Sequence, residues 1–309
     1  MALRIHWYRR PVEELLMSLI EFIRTNFSAF LGLMAAGVFA GTLAGLLGVG
    51  GGIVIVPVLF FLFQSFGASA ESAMVVATAT SLATIVPTSL SSIRSHRRKG
   101  NVDFVLLKRW AGLILIGVLI GSWLVTRVDG TWLTGLFGVI ATLSALNMLF
   151  RSGLQTEKSA PFQQLPGRAG QMAMSLAIGF LSAMVGIGGG TISVPLLTLY
   201  NYPAHRAVGT AAAIGLIISL PGALTMLLLG RTPSDAPAGT FGLVNLLGFL
   251  CITPLTVFFA PVGASIATKL DAAKLKKVFA LVLLITGLRM LGQLFFHIEI
   301  SELTLSIRK

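Results

Sequence analysis

Uninterrupted apolar runs of about twenty residues recur along this chain, and they limit its fold more than any other feature. In lipid every backbone polar group must be satisfied internally, so only helices and closed barrels cross a membrane. A barrel strand alternates apolar and polar residues over about ten positions. Continuous runs near twenty are the helical signal. The charge content agrees. Charged residues make up 11% of the 309 positions, against roughly 25% in a soluble domain. At 55% hydrophobic, the chain is too apolar for disorder. Its 34 glycines have no three-residue period, which excludes collagen. The expected fold class is therefore all-α, a polytopic transmembrane helical bundle in a cell membrane.

A net charge of +12 invites a nucleic-acid reading. The basic residues, however, sit between apolar spans, as in the cytoplasmic loops of membrane proteins. No nucleic-acid partner is expected. One cysteine, Cys251, leaves no intrachain disulfide and no cysteine-based zinc site. His6, His96, His205 and His297 are scattered, so no metal site is expected. No cofactor motif is present, and there is neither HExxH nor a nucleophile elbow. The chain is not expected to be an enzyme.

Residues 1–28 place Leu15, Leu16, Leu19, Ile23 and Phe27 at helical spacing with Glu14, Glu21 and Arg24 between them. That pattern predicts an interfacial amphipathic segment. Five apolar segments follow within residues 29–150: 29–47, 53–66, 70–93, 104–125 and 131–150. A polar linker, 151–170, is expected on the cytoplasmic side. Five more segments fill 171–296: 171–185, 191–200, 204–229, 242–267 and 275–296. Residues 297–309 form a tail.

The two sets are a repeat. Residues 41–57, GTLAGLLGVGGGIVIVP, align with 179–195, GFLSAMVGIGGGTISVP, at a constant offset of 138. Further on, an offset of 142 matches Gly100 with Gly242, Gly121 with Gly263 and Asp129 with Asp271. Loop charge gives the orientation. Arg94, Arg97, Arg98, Lys99, Lys108 and Arg109 face only Asp103, whereas the counterpart loop has Arg231 against Asp235. The next loop reverses the bias: Arg127 with Asp129, then Lys269, Lys274, Lys276 and Lys277 with Asp271. Equivalent loops on opposite sides mean two inverted-topology repeats of about five segments. The first two segments of each repeat are expected to be short and glycine-interrupted. Such segments at matching positions point to a substrate site. Gly48, Gly50, Gly51 and Gly52, with Gly186, Gly188, Gly189 and Gly190, would let backbone N–H groups turn toward an anion at a helix N-terminus. Gly37, Gly41 and Gly45, four residues apart, read instead as a helix-packing face.

The paired glycine strings are each followed by a small-residue string, ATATS at 77–81 and AVGTA at 207–211. With the Gly-x-Val-Asp/Asn elements at 100–103 and 242–245, they resemble the TauE/SafE sulfite exporter family of bacterial membrane transporters. The resemblance runs over about residues 31–291. It implies an inner-membrane location and transport of sulfite or organosulfonate-type anions. Thr78, Thr80, Ser81 and Thr210 are candidate donors to sulfonate oxygens, Thr80 aligning with Thr210. Arg289, inside an apolar segment, is a candidate charge for the anion. The expected function is alternating-access transport of a small anion. The rival is a non-transporting scaffold or accessory subunit docking an acidic partner or lipid. Expected partners are the small anionic substrate and membrane lipid, with a homo-oligomer left open.

Overall fold

The computed structural model describes residues 27–47, 51–151, 162, 164–266, 277 and 280–294. The expected N-terminal amphipathic segment up to residue 26, the tail, Gly48, Gly50 and Lys276 lie outside the described residues. The helices are α1 (Phe27–Leu47), α2 (Gly52–Ser65), α3 (Ala70–Arg98), α4 (Phe104–Val125) and α5 (Gly130–Arg151), then α6 (Arg168–Val185), α7 (Gly190–Leu199), α8 (Ala204–Leu229), α9 (Leu246–Ile266) and α10 (Ala280–Leu294). Six of them, α3, α4, α5, α6, α8 and α9, are long and apolar enough to cross a membrane. The protein is a multi-pass helical membrane protein.

Local chemistry sets the boundaries. Ser69 caps α3 by accepting the Ser72 N–H, and Asp103 caps α4 by accepting those of Val105 and Leu106. Asn245 Oδ1 accepts the Gly248 N–H at the start of α9 (2.8 Å). Each cap satisfies donors that the first helical turn leaves open. Three expectations need amendment. The first segment of each set is not short: α1 has 21 residues and α6 has 18, about 32 and 27 Å at 1.5 Å per residue. Of these first two segments in each set, only α2 and α7, with 14 and 10 residues, are too short for the bilayer. The fold is also not purely helical. Thr240–Phe241 (β1) pairs antiparallel with Val244–Asn245 (β2), so the segment expected from residue 242 begins its helix only at Leu246. Gly242, at φ 55°, lies so close to the Leu227 carbonyl that no side chain fits at the hairpin tip. Finally, the linker is shorter than expected, because α6 starts at Arg168.

Helix α3 is the hub, with 78% of its apolar window buried against 33% for α4. It packs on α2, α5, α8 and α9. Helices α3 and α8 run antiparallel: Leu82 lies against Gly222, Ser89 against Gly215 and Asn101 against Gly209. The two most extensive seams pair α1 with α9 and α4 with α6. Glycines make both. Gly41 lies against Thr256, and Gly179 against Ile114. Gly263 lies against Thr42, and Gly121 against Phe180. The offsets of 138 and 142 convert each contact of one seam into a contact of the other. Close backbone approach at small residues is what holds helices together where the surrounding lipid is as apolar as they are.

Candidate functional site

The two glycine strings meet. Gly51, at φ 75°, precedes α2, and its carbonyl accepts the N–H groups of Val54 and Ile55. Gly186, at φ 72°, ends α6 and returns its N–H to the Ser182 carbonyl. Left-handed backbone at these two positions calls for glycine. A methyl on Gly52 would stand 2.7 Å from the Gly186 carbonyl oxygen and 3.0 Å from Ile187 Cα, so the turns touch backbone to backbone. Behind them lie the middle turns of α3 and α8. Gly186 abuts Thr78, and Gly189 abuts Ile214 and Gly215. Ser81 Oγ donates to the Gly186 carbonyl (2.7 Å). Gly188 and Gly190 are buried in the same turn.

Around this junction are hydroxyls with no hydrogen-bond partner among the described residues: Thr78, Ser89, Ser182, Thr191 and Ser219. All are at least 95% buried. Thr78 lies on Gly186, Ser182 one turn before it, and Thr191 in the first turn of α7. Ser89 faces Gly215, with Ser219 one turn along the same helix. A buried unsatisfied hydroxyl costs about 1–3 kcal/mol. Several at one point in an apolar protein therefore require an explanation. In α3, Thr84 bonds the Ser81 carbonyl, Thr88 bonds the Thr84 carbonyl and Thr256, and Ser92, nearer the end of the helix, is also unpartnered among the described residues.

Thr80 and Thr210 do something different. Thr80 Oγ1 accepts the backbone N–H of Asn245 (2.8 Å), and Thr210 Oγ1 accepts that of Asp103 (3.0 Å). Each threonine thus clasps the helix-capping residue of the opposite half. Asn245 is 2% exposed and donates Nδ2 to the Ala238 carbonyl and Thr240 Oγ1. Asp103 is half-buried and accepts a short bond from the Tyr202 hydroxyl. Burial pushes the Asp103 carboxyl up, but Tyr202, the N–H groups of Leu106 and Val105, and nearby Arg206 together hold it below its usual range. Burial and that carboxylate push the Tyr202 hydroxyl well up. On the opposite side Asp235 accepts from Ser72 Oγ and the Ser69 N–H, and these bonds hold it down at about 2.

Of the expected site residues, Gly51, Gly52, Gly186, Gly188, Gly189, Gly190, Thr78 and Ser81 come together. Thr80 and Thr210 point away into the clasps. Arg289 is exposed, and its guanidinium lies 4.2 Å from the centre of the Phe61 ring rather than at the turns. Ser182, Thr191, Ser219 and Tyr202 were not singled out by sequence. The only signal was a lone hydroxyl in an apolar run, which does not reveal which face it occupies. Among the described residues no three of His, Cys, Asp or Glu come together.

The chain matches the family model described as Sulfite exporter TauE/SafE over residues 33–290. It is 31% identical over 260 residues to a "Probable membrane transporter protein" of Haemophilus influenzae, covering 83% of this chain and 96% of the relative. It is 27% identical over 288 residues to "Probable membrane transporter protein YunE" of Bacillus subtilis, covering 87% and 99%. A relative of similar name from Methanocaldococcus jannaschii is 27% identical over 277 residues, covering 84% and 94%. No solved structure matches the chain.

Proposed function

The chain belongs to the sulfite exporter TauE/SafE family of membrane transporters, and on that premise we propose that it carries a small sulfur oxyanion or organosulfonate across the bacterial inner membrane by alternating access. The observation that carries the reading is the junction of the two glycine turns, ringed by five buried hydroxyls with unspent hydrogen-bonding capacity. A sulfonate offers three acceptor oxygens and one diffuse charge. Hydroxyl and backbone N–H donors beside two helix N-termini suit that chemistry.

Two inverted-topology repeats supply the rocking units. Antiparallel packing of α3 against α8 supports inversion. A two-fold relation that exchanges antiparallel helices has its axis across them, in the membrane plane. Parallel repeats would run those helices the same way.

The test is a thermal-shift panel on purified protein with sulfite, sulfate, taurine, sulfoacetate and aryl sulfonates, followed by calorimetry on variants. Thr191→Val and Ser182→Ala remove hydroxyls that have no partner, so the fold should tolerate them or gain stability. Loss of a hydrogen bond to a charged group costs about 1.5–3 kcal/mol, roughly 10- to 150-fold in affinity. Intact stability with weakened anion binding is the expected pair of results. Folded protein that no panel member stabilises sinks the substrate class; variants that bind normally move the site elsewhere.

A further inference from the structure

A second polar site lies far from the glycine turns. Between the first turns of α4 and α6 a cavity of about 530 Å³ is lined by Arg109, Arg168, Trp110, Gln171 and Met172, among others. Its polar wall is fixed. The Trp110 indole N–H donates to Gln171 Oε1 (3.2 Å), and Gln171 Nε2 donates to the Pro166 carbonyl (3.0 Å). Neither arginine is paired with a carboxylate among the described residues. Two free guanidiniums facing one cavity suit a phosphate.

The cavity continues into lipid-facing surface. Leu113, at its wall, is followed on the same side of α4 by Ile116 and Ile120, and Met172 on α6 by Leu176. Ile116, Ile120, Met172 and Leu176 are all exposed. A charged head and an apolar strip in line describe one molecule with both parts. The basic end of α3, Arg94 to Arg98, with Lys99 sits at the same end of α4, which positive-inside bias assigns to the cytoplasm. The cytoplasmic leaflet is the one whose surface is negative.

The fold contains its own control. The equivalent seam, α1 with α9, has the same glycine contacts, and the offsets put Phe30 and Cys251 where Arg168 and Arg109 stand. Packing of the seam therefore does not require the arginines. We propose that the α4–α6 cavity is a binding site for the phosphate headgroup of an anionic inner-leaflet phospholipid, with its acyl chains along Ile116, Ile120 and Leu176.

The full chain in neutral detergent tests this. Thermal stabilisation would be titrated with phosphatidylglycerol, phosphatidylcholine, glycerol phosphate and inorganic phosphate, on the native protein, on R109Q/R168Q and on R127Q as a charge control. Phosphatidylglycerol should stabilise the native protein and R127Q alike, and its apparent affinity should fall about 30-fold in the double variant. Both arginines are exposed, so the unliganded variant should melt as the native protein does; R109K/R168K should retain part of the effect and covers the case in which the glutamines disturb folding. Equal response to phosphatidylcholine, an unchanged response in the double variant, or full stabilisation by inorganic phosphate alone would each overturn the lipid assignment.

Discussion

The two clasps of this molecule share one hydrogen bond and differ in everything around it. At one, Thr80 holds the N–H of Asn245, a neutral, sealed residue whose side chain is spent on the Ala238 carbonyl, Thr240 and Gly248. At the other, Thr210 holds the N–H of Asp103, a half-buried carboxylate shared between its own helix cap and Tyr202, with Arg206 close by. The threonine-to-backbone bond is the same in the two halves; the chemistry around it is not. The neutral clasp can be opened only by exposing buried amides, whereas the charged one is sensitive to proton concentration and to ions. A pair of like-built fastenings in unlike surroundings is expected to give the two ends of the molecule different resistance to opening.

The sharpest way to break this comparison is to exchange the capping residues. Asn245→Asp puts a carboxylate oxygen against the Ala238 carbonyl in a buried site, so it should destabilise by about 3 kcal/mol or more, read as a large fall in Tm. Asp103→Asn keeps the cap through its one carbonyl oxygen and turns Nδ2 toward Tyr202, whose hydroxyl can accept from it, so it should shift Tm little. Equal effects of the two swaps would erase the distinction drawn here.

Removing the threonines should separate the clasps less widely. Thr80→Val leaves a buried N–H without a partner, at about 1–3 kcal/mol. Thr210→Val should cost less, because water can reach the half-buried Asp103. Melting of both variants at one pH checks the order.

The smallest expected effect is a pH dependence. The Asp103 carboxyl is held below its ordinary value. Its stabilisation is therefore complete above the unfolded carboxylate range and is lost as pH falls toward the folded value. Tyr202→Phe removes a donor that favours the charged form, so the folded carboxyl moves back toward its ordinary value and the acid loss of stability should be smaller, and complete at higher pH, than in the native protein. Tm followed from neutral pH down through the carboxylate range checks this; superimposable curves would detach Tyr202 from the clasp. In an Asp103→Asn background, the Tyr202→Phe shift should vanish.

Much of the architecture was legible before any coordinates. Segments 104–125 and 204–229 coincide with α4 and α8, because Asp103 and Pro203 mark their starts and Gly230 marks an end. Where sequence misplaced a boundary, a local signal competed with hydropathy. Helix α3 continues past residue 93 through Arg94 to Arg98. Those residues are polar but form helix readily at the membrane edge, and the turn comes only at Gly100, at φ 68°. The hairpin before α9 was hidden inside an apolar run, since Leu243 and Val244 serve strand and helix equally well.

The candidate site divides the same way. By itself the sequence determined that the chain is a multi-helix membrane protein, that its two halves carry one glycine motif, and which family it joins. Those properties are written in hydropathy, spacing and local backbone demands, each of which is short-range. Only the tertiary structure decided that the two turns touch, that Thr78, Ser182 and Thr191 face them unpartnered, and that Thr80 and Thr210 are turned into the clasps instead. Thr78 and Thr80 lie two residues apart on one helix and point to different sides. Which side meets the glycines depends on how α3 is rotated against α8, and packing across the whole bundle sets that rotation.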